Sequence, residues 1–275
     1  MAEPSMHKAV ILARGLGTRM QRPDASVELD DRQAALAASG LKAMIPIGRP
    51  FLDYVLSSLA GAGYREVCLV VAPDHDVVRR YYRDDVELER LSIEFAVQEV
   101  PRGTADAVST VEQFAAGDPF LVINSDDYYP GEALRRLREV GGPATALFER
   151  ESMIADSNIP EDRIQAFAVG LANGEGRLRQ ILEKPSRERL ASIPRPHWLS
   201  MNCWRFGPRI FEACRNIVPS KRGELELPDA VQYAIDELGE TFEVVRVRAL
   251  PGLGVSLEAH LEALGASRSA FCAAL

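Results

Sequence analysis

This 275-residue chain has no apolar run long enough to span a bilayer. Its opening, MAEPSMHKAV, carries charge and proline where a secretory leader needs a basic start and a greasy middle. Cysteine is scarce, and Cys68, Cys203, Cys214 and Cys272 lie far apart with no CxxC pair. That excludes a disulfide scaffold and fits indifferent thiols in a reducing cytoplasm. His7, His75, His197 and His260 form neither HxxxH nor HExxH, so no zinc site is expected. A positive excess is also missing. Lys and Arg number 32 against 40 Asp and Glu, giving a net charge of −8, with no general field for nucleic acid or an anionic membrane. A phosphate ligand must therefore be held by a few local cations. The expectation is a cytoplasmic protein with small-molecule partners, able to form a homo-oligomer.

What is present is a core-forming composition, 47% hydrophobic, in an ordered rhythm. Residues 9 to 13 read as a strand. Phe51, Leu52, Val55, Leu56 and Leu59 share one helical face, with Gly61 and Gly63 as stops. EVCLVVA (66 to 72) is a continuous apolar run, as in a strand covered on both sides, and LSIEFAV alternates as a strand. A helix is predicted from Thr104, then a buried strand over PFLVIN, 119 to 124. Strand and helix in turn predict an α/β fold with a mainly parallel sheet and helices on both faces.

After about residue 140, ATALFER, QAFAVGL, GRLRQILE and SMNCWRF read as strands joined by turns rather than long helices. Helices are predicted at PRIFEACRNI and LPDAVQYAIDEL, a strand at TFEVVRVR, and a closing helix from Ser256. Residues between Gln21 and Leu41 are expected to include a cover over the site. With no repeat and no linker, residues 1–275 read as a single domain: a nucleotide-binding half, 1–140, and a sheet-rich half, 141–275.

The stretch AVILARGLGTRM sets a glycine turn straight after a strand, which aims backbone N–H groups at an anion. GLGTRM is not GxGxxG, because Met20 stands where the third glycine belongs, and it lacks the G-K-[ST] of a Walker loop. A dinucleotide-dependent dehydrogenase is thereby disfavoured. Asp126-Asp127-Tyr128 does not supply the D-x-D that a glycosyltransferase needs. On its own, the loop is equally a strand-to-helix turn without a ligand.

Five ordered blocks resemble the sugar nucleotidyltransferases. The first has Leu12, Ala13, Gly15, Gly17, Thr18, Arg19 and Met20; the second, KAMIPIGRPFLDYVL, has Lys42, Pro46, Gly48, Arg49, Pro50 and Tyr54. The third, QEVPRGTADAV, has Gln98, Gly103, Thr104 and Ala105. The fourth is the acidic strand end FLVINSDDYYP, and the fifth is Glu183-Lys184-Pro185. MNCWRF and ELPDAV also look like segments of that family. The resemblance implies a nucleotide-diphospho-sugar transferase, GT-A-like fold: a Rossmann-like, mainly parallel mixed sheet flanked by helices, with a sheet-rich sugar-binding extension. It implies the reaction NTP + sugar 1-phosphate → NDP-sugar + pyrophosphate, resembling that of glucose-1-phosphate thymidylyl- and uridylyltransferases.

That chemistry suits the residues. The nucleophile is already a phosphate oxyanion, so positioning and positive charge matter more than a basic side chain. The resemblance implies that Arg19 meets the leaving phosphates, Lys42 the α-phosphate and Lys184 the incoming sugar phosphate. Asp126 is expected to hold Mg²⁺, the one cofactor expected, with Asp127 behind it or capping the next helix. Leu12, Ala13, Gly15, Gly17, Thr18, Gln98, Gly103 and Thr104 are expected around the nucleotide. Glu183 and Asn202 are expected on the sugar. Gln98 suits a pyrimidine edge, favouring UTP or dTTP.

Two departures stand out. Arg14 replaces a small residue of L-A-G-G, and either adds a triphosphate contact or points outward. Leu253 or Gly254 stands where relatives carry a second metal aspartate in W-x-D-x-G-T, and Val255 and Ser256 follow. Either Mg²⁺ keeps one protein carboxylate, or Glu258 substitutes, or the chain is a weakened or silent relative that senses nucleotide sugars. The segment around QAFAV lacks the family's G-Y-G, which leaves the sugar open.

Overall fold

The computed structural model describes residues 6–15, 41–44, 46–47, 49–157, 159, 161–183, 185–248 and 252–253. Strand β1 (Lys8–Leu12) leads to a 3-10 turn, Lys42–Met44, and a short ribbon of β2 (Pro46–Ile47) and β3 (Arg49–Pro50). Helix α1 (Phe51–Ala62) follows, closed by Gly63 in the left-handed conformation, then β4 (Glu66–Val71). Helix α2 (Asp76–Arg80) runs into a π-helical turn, Tyr81–Asp85, before β5 (Ser92–Val97). Next come α3 (Thr104–Ser109), α4 (Glu112–Ala115), β6 (Phe120–Asn124), β7 (Asp127–Tyr128), α5 (Gly131–Glu139) and β8 (Ala144–Glu149).

The second half contains α6 (Arg150–Asp156), α7 (Glu161–Ile164), β9 (Ala168–Ala172), β10 (Leu178–Leu182), α8 (Arg187–Ala191) and β11 (Trp198–Phe206). It continues with α9 (Arg209–Asn216), α10 (Leu227–Asp236), β12 (Glu243–Val247) and β13 (Gly252–Leu253). The strands are joined without long helices, as expected, and the connections include the short helices α6, α7 and α8. Each is seven residues or fewer, too short for a 3.6-residue apolar period to stand out. The predicted cover before Leu41 and the helix from Ser256 lie outside the described residues.

One nine-stranded sheet takes strands from both halves, in the order β10-β9-β11-β6-β1-β4-β5, with β8 on the other edge of β11 and β12 beyond it. Strands β1, β4, β5 and β6 are parallel, as βαβ crossovers require, and β11 runs antiparallel to β6, β8 and β9. The continuous apolar runs of β4 and β6 are buried on both faces: Val67 and Leu69 join one core, and Cys68 and Val70 the other. The first core packs under α1 and α5, and the second under α3, α9 and α10. Cys68, Cys203 and Cys214 are free and buried within these layers. Burial pushes the Cys68 and Cys214 thiols up to about 12, which makes them packing residues rather than nucleophiles.

Candidate functional site

Parallel α/β sheets open a ligand crevice beyond the carboxyl ends of their strands. Here β1 ends at Leu12 opposite Asn124, the last residue of β6, and the Ser125 amide donates to the Leu12 carbonyl at 3.3 Å. The Ala13 amide donates to Val70 at 2.9 Å, so the chain leaves the sheet at Ala13-Arg14-Gly15. Gly15 is exposed there, with open space where a Cβ would stand. Gly17, Thr18 and Arg19 lie outside the described residues. So does Lys184, and Lys42 is placed by its backbone alone, in the 3-10 turn.

The Arg14 side chain turns across the crevice. Its Nε donates to the Gln98 carbonyl at 2.9 Å and one Nη to the Glu99 carbonyl at 3.3 Å. These bonds tie the glycine turn to the end of β5. The other Nη is buried without a partner. His75, buried at the carboxyl end of β4, also has an unpartnered Nδ1, and its pKa is lowered by burial first and by the nearby Arg14 charge among lesser influences. Two orphaned nitrogens beside the turn would be satisfied by a polar or anionic ligand. Of the two alternatives for Arg14, a triphosphate contact or an outward side chain, the side chain is turned inward onto backbone carbonyls, with one nitrogen left over; in the sequence, His75 bears only on the zinc question.

Gln98 is buried, and its amide nitrogen donates to the Gly103 carbonyl at 3.0 Å and the Asp106 carboxylate at 2.7 Å. Both acceptors are oxygens without hydrogens, which fixes the amide orientation and leaves only the Gln98 oxygen for a ligand. Gly103 takes φ +119°, and a Cβ on it would stand 2.4 Å from the Leu225 carbonyl oxygen. Thr104 accepts a bond from the Leu227 amide at 2.8 Å, at the start of α10. Thus the QEVPRGTADAV block is clamped to the ELELPD block, and Thr104 joins two elements.

Asp126 lies half-buried in the bend after β6. Its neighbour Asp127 is buried and accepts from the Asn124 side-chain amide at 2.9 Å. The Tyr129 hydroxyl lies 3.3 Å from the same carboxylate and donates to the Met201 carbonyl at 2.6 Å. Asp127 does not cap α5, whose N-cap is Pro130 with no side-chain bond. Strand β13 pairs with β7, bringing the backbone of Leu253 opposite Asp127. One of the two positions at which relatives carry a second aspartate, 253, is therefore brought opposite Asp127 with leucine in it, and the other, 254, lies outside the described residues. Among the described residues no group of three or more His, Cys, Asp or Glu side chains could hold a metal. Val255, Ser256 and Glu258 lie outside the described residues.

Asn202 interrupts β11. Its φ is +54°, a region asparagine tolerates better than most residues, and the strand's register with β8 shifts between Ser200 and Trp204. The Trp204 indole N–H lies 3.4 Å from the Asn202 side-chain oxygen. Because Tyr129 holds Met201, Asn202 and the Asp126 bend are anchored by one hydroxyl. Glu183, exposed at the end of β10, adds to the negative field of Glu226 and Glu224 around Arg222.

The start of the glycine turn and Asp126 thus lie together at the carboxyl ends of two neighbouring parallel strands in the interior of the sheet, the place where open α/β sheets put their ligands. Among solved structures, a UDP-glucose pyrophosphorylase complexed with UDP-glucose shares the fold at TM-score 0.70 and 19% identity, covering 95% of this chain and 98% of that one. A UTP–glucose-1-phosphate uridylyltransferase of Haloferax volcanii is 26% identical over 247 residues, 87% of this chain and 88% of the relative. A glucose-1-phosphate thymidylyltransferase of Streptomyces griseus is 29% identical over 233 residues; the match takes in 83% of this chain and 57% of that longer relative. The chain belongs to the nucleotidyl transferase family, whose model matches residues 8–249. Among the described residues, no helix is long and apolar enough to cross a membrane.

Proposed function

We propose that this nucleotidyl transferase is a cytoplasmic enzyme that converts a nucleoside triphosphate and a sugar 1-phosphate to an NDP-sugar and pyrophosphate, with UTP or dTTP as donor. One arrangement carries this reading: Asp126 beyond β6, next to the end of β1, from which the glycine turn departs. A sugar-phosphate oxygen attacks the α-phosphorus while the bond to the leaving pyrophosphate breaks, so the protein's work is alignment and charge compensation. The unpartnered Arg14 nitrogen joins Arg19 in the sequence pattern as a donor to the triphosphate. The sequence pattern assigns Lys42 to the α-phosphate, Lys184 to the sugar phosphate, and Glu183 and Asn202 to the sugar hydroxyls. Gln98, with its N–H groups engaged, offers its oxygen to a base N–H such as the imide of uracil or thymine.

The donor set fits magnesium, which is commonly bound by one or two carboxylates plus substrate phosphates and water. Asp126 would hold it, and it would supply positive charge that offsets the negative charge of the phosphates. A second reading, a silent relative that binds nucleotide sugars as a sensor, is favoured by the leucine at 253. Mixing the protein with Mg²⁺, each NTP and a panel of sugar 1-phosphates separates the two. Pyrophosphate release with at least one pair supports the enzyme. Binding without release under every pairing rejects it in favour of the sensor.

A further inference from the structure

A cavity of about 540 Å³ lies between β9, the segment leading into β11, and β12, and none of the residues assigned above to nucleotide, sugar or metal lines it. The β9–β10 hairpin, itself part of the sheet, meets the start of β12 at its turn, where the Leu178 amide donates to the Phe242 carbonyl at 2.8 Å and the Val244 amide to the Gly176 carbonyl at 2.9 Å. Gly170 of β9 rests on Leu147 of β8; a Cβ there would stand 2.5 Å from a leucine methyl. Leu147, Val169 and Val244 thus make an apolar floor, and the segment leading into β11 makes the wall.

The rim has the opposite character. Arg195, Arg246 and Arg248 all line it and are exposed, in a chain whose net charge is −8. Arg248 pairs with Glu149 at 3.2 Å, whereas no ion pair to Arg195 or Arg246 occurs among the described residues. The Arg246 guanidinium stands 5.5 Å from the centre of the Trp198 ring, which steers it over the cavity wall. His197, in the same wall, is 4% exposed. One ring nitrogen, Nε2, is 3.1 Å from the Ile193 carbonyl. A carbonyl only accepts, so Nε2 carries the hydrogen, and Nδ1 is left as the acceptor. That Nδ1 is buried and has no partner.

We propose that this cavity is a second ligand site, specific for a small phosphate ester that carries hydroxyl groups. Two guanidinium groups that no carboxylate among the described residues pairs with suit the phosphate dianion, whose oxygens match their fork. The unpartnered histidine acceptor suits a hydroxyl donor, and the volume is that of a small-molecule pocket rather than of a bare anion.

Calorimetry with glucose 6-phosphate tests this without NTP or magnesium, because its ester is not at the anomeric carbon and it is no acceptor for the proposed reaction. Glucose 6-phosphate is expected to bind more tightly than inorganic phosphate, and glucose alone not at all. The double variant Arg195→Ala/Arg246→Ala, altered only at exposed positions, is expected to weaken that binding by about tenfold or more. Asp126→Asn and Asn202→Ala are expected to leave it unchanged. The reverse pattern, or no binding of either phosphate compound at millimolar concentration, overturns the proposal. A crystal soaked in glucose 6-phosphate gives an independent reading: phosphorus density between Arg195 and Arg246 supports the site, and density only at the strand-edge crevice rejects it.

Discussion

At Gly103 the backbone takes φ +119° and presses against residue 225. An L side chain there is strained twice, by the dihedral and by contact with a main chain that cannot swing away. Gly103→Ala should lower stability by about 1–3 kcal/mol, read as a lower urea midpoint with an unchanged slope. A wild-type midpoint would mean that the clamp between residues 103 and 225 is not formed as described. This glycine was legible from its block, but its reason was not. Sequence patterns place a glycine in a motif without saying what approaches it from 122 positions away. Arg14 and Gln98 teach the same lesson, since one lends its side chain to the other's carbonyl. Thr104, read from its motif as a nucleotide residue, is engaged with Leu227 in the structure.

Helices and strands of ordinary length followed from apolar periodicity: β1, α1, β4, β5 and β6 all lie within a residue or two of the pattern. The connection after β4 did not. Its helix turns π-helical over Tyr81–Asp85 because tertiary bonds fix it there: the Tyr82 hydroxyl donates to Asp53 at 2.8 Å and that of Tyr81 to the other carboxylate oxygen at 2.9 Å. Asp53 therefore ties α1 to this connection. Burial raises its pKa above the ordinary 3.8, outweighing the tyrosine bonds and the Arg49 charge, which lower it. A carboxyl with a raised folded pKa favours the fold in its protonated form. Its contribution is complete below the unfolded value and is lost as pH rises through the folded one. Stability of the wild type relative to Asp53→Asn should therefore fall as pH rises from about 3.8 and then level off, in paired urea titrations across the acid range. A difference that stays flat or grows would contradict this.

Across the whole molecule, one sheet carries both halves of the site. Strands β1 and β6 place the glycine turn and Asp126, and the antiparallel β11, beside β6, places Asn202. The order of the blocks in the sequence revealed the family, because such motifs sit at strand ends and survive as short local patterns. Strand β11 was legible as SMNCWRF, but its antiparallel pairing with β6, β8 and β9 was not, because pairing partners far apart in sequence leave no periodic trace. The account's central claim is that the crevice around Asp126 is where the nucleotide is transferred. The most direct measurement is pyrophosphate release by Asp126→Asn beside the wild type, on the wild type's fastest NTP and sugar 1-phosphate, with thermal midpoints for both. The expected result is a rate lower by about a hundredfold or more at an unchanged midpoint. A variant that turns over at the wild-type rate would contradict it.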